Sequence, residues 1–316
     1  MESVNIPRRR LNGALKCICC GLLVAAAPAA DAEMTRSRSS KPSKVAKQPY
    51  QKPDIQPEPW TTLPPTPELP RAMEQGIVAI DGIRIFYVEA GVGEPVIFLH
   101  AGLANSNYWS NQLLRVSRQF RAIAMDTRGH GRSSMSEEPL SYKLLASDVI
   151  ALMDSREIRS ASIVGWSDGA IVGLELAMRR PDRITKLFAF GANYNLMGLQ
   201  QGGGENRTFR LYVDRCRQEY KEFGQTPANY NRLRLSLSAM WRSQPNYKEI
   251  ELSSISCPTA IVAGQHDEII RPQHTKSLAA AISTSTLIIE PSVSHFAMLQ
   301  NPSQFTNDLL RFLKQP

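Results

Sequence analysis

The five residues Gly165-Trp166-Ser167-Asp168-Gly169 constrain this chain more than any other feature, because of what flanks them. An apolar run at 161–164 reads as a buried strand. Residues 169–179 read as a helix with Ile171, Leu174 and Ala177 on one apolar face. A strand that passes straight into a helix through G-x-S-x-G holds its serine on a tight turn that only small neighbours permit. The turn lifts the Ser167 hydroxyl clear of the sheet, at a helix N-terminus whose dipole favours developing negative charge.

The rest of the chain supplies the sheet that such a turn requires. Residues 76–80 and 83–89 are strand-like runs joined by Asp81-Gly82, a strong hairpin signal. Wholly apolar or nearly apolar strands follow at 95–99, 121–125, 186–191, 259–263 and 286–289. Helical sequence is interleaved at 108–119, 142–153 and 302–313. Apolar strands alternating with helices predict an α/β fold, a mostly parallel central sheet with helices on both faces. One stretch, 195–254, breaks the rhythm. It holds no strand signal, only charged helix-prone sequence at 207–223 and 230–241, preceded by Gly202-Gly203-Gly204 as a hinge. The expected organisation is a core at 73–194 and 255–316, interrupted by a small helical cap at 195–254.

A serine hydroxyl is a poor nucleophile at neutral pH, so a base must take its proton and a third group must orient that base. His295 lies just after the strand at 286–289, and Asp267 lies directly after the strand at 259–263. The chain order Ser167, Asp267, His295 is the one this architecture uses. Glu268 is the rival acid but sits further from the strand end. His266 and His274 are expected at the surface near the mouth. The oxyanion of an acyl intermediate needs two preorganised amide donors. These are expected from Asp168, after the nucleophile, and from the loop His100-Ala101-Gly102-Leu103, with Gly102 first and Leu103 next. His100 and the Asp126–Ser133 turn are expected to brace loops. Leu103, Trp166, Phe296 and Met298 are candidate pocket walls, each of the last three with an ordinary core reading beside it.

Taken together, the segments 100–103, 126–133, 165–169, 264–267 and 294–296 make the chain from about Gly76 onward resemble the α/β-hydrolase superfamily. Within it, Gly165–Gly169 followed by Phe190-Gly191-Ala192-Asn193 is similar to the biphenyl-hydrolase-like and valacyclovir-hydrolase-like esterases and to enol-lactonase-like relatives. Ala101 departs from the His-Gly usual in that oxyanion loop. The resemblance implies the α/β-hydrolase fold and a cofactor-free hydrolase of a small-molecule carboxylic ester or lactone. It also implies that an acid after the nucleophile recognises an α-amino group in some relatives, and Asp168 matches that position. The alternative role for that carboxylate is capping the elbow helix. Serine at 167 argues against the aspartate-based dehalogenases and epoxide hydrolases and the cysteine-based dienelactone hydrolases. The same triad supports perhydrolysis or acyl transfer, and a ligand-binding sensor that keeps the fold is the alternative from another class.

The remaining features concern location. Arg8, Arg9, Arg10 and Lys16 precede an apolar stretch at 17–27 and small residues around Ala30-Asp31-Ala32, so 1–32 reads as a secretory signal and the chain as exported, periplasmic or secreted. The apolar run is too short to span a bilayer. Residues 33–72 are polar, then proline-rich, and are expected as a disordered linker. The formal charge of +8 over 316 residues is concentrated here: ten of the 37 basic residues and six of the 29 acidic ones precede Arg71, leaving +4 for the rest. No Lys/Arg stripe interleaved with aromatics appears, which argues against nucleic acid. No His/Cys cluster has metal-ligand spacing, so neither metal nor cofactor is expected. Of five cysteines, Cys216 and Cys257 lie beyond the signal, and the sequence leaves both their pairing and the oligomeric state open.

Overall fold

The computed structural model describes residues 57–224 and 226–315, so the expected signal segment lies outside the described residues. Eight strands form one sheet: β1 (Glu74–Ile80), β2 (Ile83–Ala90), β3 (Pro95–Leu99), β4 (Arg121–Met125), β5 (Ala161–Trp166), β6 (Ile184–Phe190), β7 (Thr259–Gly264) and β8 (Ser285–Glu290). Their order is β1-β2-β4-β3-β5-β6-β7-β8. The β1–β2 hairpin is antiparallel and β2 joins β4 antiparallel, whereas β4, β3, β5, β6, β7 and β8 run parallel. This is the α/β-hydrolase fold expected from the sequence.

The helices are α1 (Ser110–Val116), α2 (Tyr142–Ser155), α3 (Asp168–Arg179), α4 (Arg207–Phe223), α5 (Tyr230–Trp241), α6 (Glu249–Leu252), α7 (Pro272–Ala281), α8 (Ala297–Gln300) and α9 (Pro302–Leu313). Strand periodicity explains how both faces of the sheet are covered. On β6, Leu187 points to α3, where it meets Gly173, while its neighbours Phe188 and Phe190 point the other way onto Phe305 of α9. Strands buried on both faces have no polar alternation to show, hence the continuous apolar runs at β3, β5 and β7. Helices α4, α5 and α6 occupy the stretch between β6 and β7, and α4 and α5 span the residues expected to be helical there. No helix among the described residues is long and apolar enough to cross a membrane.

The structure departs from expectation at the N-terminal side. Most of the expected linker lies outside the described residues, but its last part, 57–72, runs along the domain instead of hanging free. Leu63 and Leu69 pack partly buried against the core, and Arg215 of α4 donates to the carbonyls of Pro64 and Leu63 at 2.5 and 2.9 Å. The prolines that suggested a tether are the physical reason: their fixed φ leaves less entropy to lose on docking, so a few contacts suffice. Cys216 and Cys257 are both free thiols.

Candidate active site

Ser167 sits between β5 and α3 with φ +53° and ψ −118°, a backbone conformation that costs a non-glycine residue roughly 1–3 kcal/mol. Local hydrogen bonds hold it there. Its N–H donates to Phe190 O on β6 at 2.8 Å, and its carbonyl accepts from the amides of Ala170 and Ile171. Glycine at 169 is a packing requirement, because a Cβ there would collide with the Leu99 and His100 carbonyls at the end of β3. The elbow helix is thereby pressed onto the start of the loop that carries the expected oxyanion donors.

The candidate acid and base follow the ends of β7 and β8. Asp267, three residues past β7, is almost fully buried and accepts a 2.9 Å hydrogen bond at Oδ2 from His295 Nδ1. Its other oxygen, Oδ1, accepts from the amides of Ile269 and Ile270, both at 2.8 Å, which fixes the carboxylate in one orientation. His295 is 2% exposed. Burial pushes its pKa down, but the Asp267 carboxylate, aided by Glu268 and Asp168, raises it more, and the net direction is up. Glu268, the rival acid, serves the backbone instead: its Oε2 accepts from the His295 N–H at 3.0 Å. Ser167 and His295 line the same cavity, without a hydrogen bond between their side chains among the described residues.

The oxyanion loop is held from both sides. His100 Nδ1 donates to Ala101 O at 2.7 Å while its Nε2 accepts from the Thr127 N–H at 3.0 Å, so this buried histidine is neutral and structural, as expected. The next peptide is fixed from the cap, where Tyr212 of α4 donates its hydroxyl to Gly102 O at 2.6 Å. Leu103 takes φ +70°. The amides of Gly102, Leu103 and Asp168 donate to no loop or turn acceptor among the described residues, and all three residues face the cavity beside Ser167. The Asp126–Ser133 turn braces this loop, with Asp126 accepting from the Ser106 and Arg132 amides at 2.7 and 2.8 Å.

Asp168 has a second connection that the sequence did not show. Its carboxylate is buried and accepts from Tyr142 Oη at 2.8 Å and from Trp241 Nε1 at 3.1 and 2.9 Å. Burial pushes its pKa up to about 6, with the Tyr142 and Trp241 donors and the nearby His295 acting in the opposite direction. Two donors within the protein thus already serve this carboxylate, the Tyr142 hydroxyl and the single Trp241 N–H shared between its oxygens. The carboxylate does not cap the elbow helix, which lacks a side-chain cap. It ties α2 and α5 to the nucleophile turn. Gly102 fits tightly against this junction: a Cβ there would lie 2.5 Å from both Asp168 Oδ2 and Trp241 Cζ2.

The cavity over Ser167 has a volume of about 260 Å³. Leu103 and Trp166 line it as expected, joined by Phe209, Tyr212, Trp241 and Ile270. Phe296 and Met298 do not. Phe296 is fully buried against Trp166 and Tyr212, and the Met298 carbonyl accepts from Gln112, so both belong to the core beneath the wall. His274 is also not at the surface. It is 8% exposed, stacks on Tyr194 at 4.1 Å and accepts from the Tyr194 N–H. His266 is exposed. No Lys or Arg lines the cavity, and no cluster of three metal-ligating side chains occurs among the described residues.

Comparison with known proteins agrees with this fold. The family model for the alpha/beta hydrolase fold matches residues 94–220. A non-heme haloperoxidase of Rhodococcus erythropolis is 28% identical over 270 residues, covering 75% of this chain and 98% of its own. Serine hydrolase BPHL of Mus musculus is 25% identical over 262 residues, covering 77% of this chain and 87% of its own. Among solved structures, the enol-lactonase of Burkholderia xenovorans LB400 superposes with a TM-score of 0.62 at 22% identity, covering 76% of this chain and all of its own, a likeness of fold. The chain therefore has the α/β-hydrolase fold and resembles in sequence a non-heme haloperoxidase and a serine hydrolase.

Proposed function

We propose that this chain, a hydrolase of the α/β fold, cleaves an uncharged, largely apolar carboxylic ester or lactone through an acyl-enzyme at Ser167. The observation that carries this reading is the buried Asp267–His295 pair opening onto the same cavity as the Ser167 elbow. In the proposed cycle Ser167 Oγ attacks the acyl carbon while His295 Nε2 takes its proton. The imidazolium formed is stabilised by Asp267. The tetrahedral oxyanion accepts from the unpaired amides of Asp168 and Gly102. His295 then returns the proton to the leaving alkoxide; water, deprotonated by the same imidazole, attacks the acyl-enzyme, and the imidazolium gives that proton to the departing Ser167 Oγ as the acid is released.

The substrate class follows from the cavity wall. Aromatic and aliphatic side chains dominate it, and among the described residues no Lys or Arg lines it to pair with a carboxylate. A carboxylate-bearing substrate would have to be desolvated beside Asp168 without compensation. Turnover of p-nitrophenyl butyrate should therefore exceed that of the p-nitrophenyl monoester of succinate by about 100-fold in kcat/KM. Ser167→Ala should lower activity on both by about 10³-fold or more. Comparable rates on the two esters would overturn the substrate class, and an active Ser167→Ala would overturn the nucleophile.

Similarity to a non-heme haloperoxidase favours a second reading of the same triad, perhydrolysis, in which hydrogen peroxide replaces water at the acyl-enzyme. Peracid formed from an acyl donor and peroxide in preference to hydrolysis would identify it. The basic-then-apolar pattern of 1–32 supports export, to be checked by N-terminal sequencing of the protein recovered from the periplasm or medium.

A further inference from the structure

We propose that residues 59–66 form a positioning strap that holds the loops bearing the catalytic acid and base together and ties the cap to them. This inference rests on the reading of Ser167, Asp267 and His295 as the triad.

Three sets of contacts carry it. At the acid loop, Trp60 lies over His266, the residue before Asp267, with ring centroids 3.9 Å apart and planes 15° from parallel. The backbone of His266 in turn donates to Val293 O, so the ring covers the place where the acid loop is joined to the base loop. At the base loop, Gln300 Nε2 donates both to Thr62 O at 2.8 Å and to Ser294 Oγ at 3.0 Å. Its Oε1 accepts from the Ser294 N–H at 2.7 Å. The strap carbonyl thus selects the amide orientation in which Gln300 can hold the residue next to His295. At the cap, the Arg215 guanidinium spans the carbonyls of Leu63 and Pro64. Arg215 lies one turn along α4 from Tyr212, which holds Gly102 O.

Each contact is modest alone. Together they connect the acid loop, the base loop and the helix that fixes the oxyanion loop through one short segment. That segment contains Pro59, Pro64 and Pro65, which lower the entropy cost of holding it extended. A hydrogen bond such as Asp267–His295 depends on alignment to tenths of an ångström, so loosening its two loops weakens it without removing either partner. The charged groups acting on His295 are Asp267 and Glu268, after β7, and Asp168, at the start of α3. Replacing Trp60 changes none of these charges, so any shift it causes in the imidazole reports alignment.

The test uses the full chain with Trp60→Ala, Trp60→Phe and Arg215→Ala. For Trp60→Ala, kcat on p-nitrophenyl butyrate should fall about tenfold with KM within about twofold. The imidazole pKa of His295, followed by NMR, should drop by about half a unit as the carboxylate loses alignment. Trp60→Phe, which keeps a stacking ring, should restore both. Arg215→Ala should raise KM and leave the His295 titration unchanged. A Trp60→Ala protein that is merely less heat-stable, with kcat and the titration unaltered, overturns the strap. If the wild-type chain itself shows no turnover, the hydrolase reading fails instead, and the titration still decides on the strap.

Discussion

Asp168 works through two groups at once. Its amide faces the cavity as the proposed oxyanion donor, while its carboxylate accepts from Tyr142 and Trp241 and thereby ties α2 and α5 to the Ser167 turn. Asp267 is the other decisive residue, and its effect on pH dependence has a definite sign. His295 acts as a base only when neutral, so its raised pKa places the acid limb of the rate profile above the ordinary histidine value of about 6.5. Asp267→Asn keeps the shape, removes the charge and lets burial dominate. The acid limb should move to lower pH, and kcat should fall about 10⁴-fold because the imidazolium is no longer stabilised. A limb that stays in place in the pH–rate profile of Asp267→Asn would contradict this role. At this scale the meeting of Asp267, His295 and the Ser167 turn was legible in the sequence because each residue lies just past a strand end, where position predicts direction. Phe296 and Met298 were misplaced because Phe296 caps and Met298 lies on α8, whose turn directs them under the wall, and sequence spacing alone does not reveal that turn.

Among the elements, α4 and α5 were legible as helices from their charged, amphipathic sequence, but their registers were not. Which face of α4 meets the core depends on how a cap settles on loops distant in the chain, so neither Tyr212 over Gly102 nor Trp241 over Asp168 could be read in advance. The composition of the strap predicts a disordered linker for a related reason. Its composition excludes a core of its own, yet nothing in it reveals that an existing domain offers Arg215 and Gln300 as partners. The Tyr212 contact yields an element-scale prediction. Tyr212→Phe keeps the ring packing against Trp166 and Phe296 but leaves the Gly102 carbonyl without its cap donor. Losing one such hydrogen bond costs about 1 kcal/mol, so kcat should fall roughly five- to tenfold through the mispositioned oxyanion loop, with KM changed less. Steady-state kinetics showing a rise in KM alone would assign Tyr212 to substrate binding instead.

For the whole molecule, the parallel strands β5, β7 and β8 end on the same side of the sheet, with β6 between the first two, and the proposed chemistry is concentrated there. Strand β5 delivers Ser167, β7 delivers Asp267 and β8 delivers His295, while β3 ends in the loop expected to supply the second oxyanion donor. Helices α4 and α5 line the cavity at those strand ends, and the strap binds α4 to the loops after β7 and β8. The central claim, that Ser167 is a nucleophile activated by this arrangement, is tested most directly by a fluorophosphonate. Attack by Ser167 Oγ at phosphorus expels fluoride and leaves a stable phosphonyl-serine. Mass spectrometry of the digested protein should find the adduct on the peptide containing Ser167, with Ser167→Ala unlabelled and His295→Ala labelled at least about 100-fold more slowly. An unlabelled wild-type chain, or an adduct on any other residue, would contradict it.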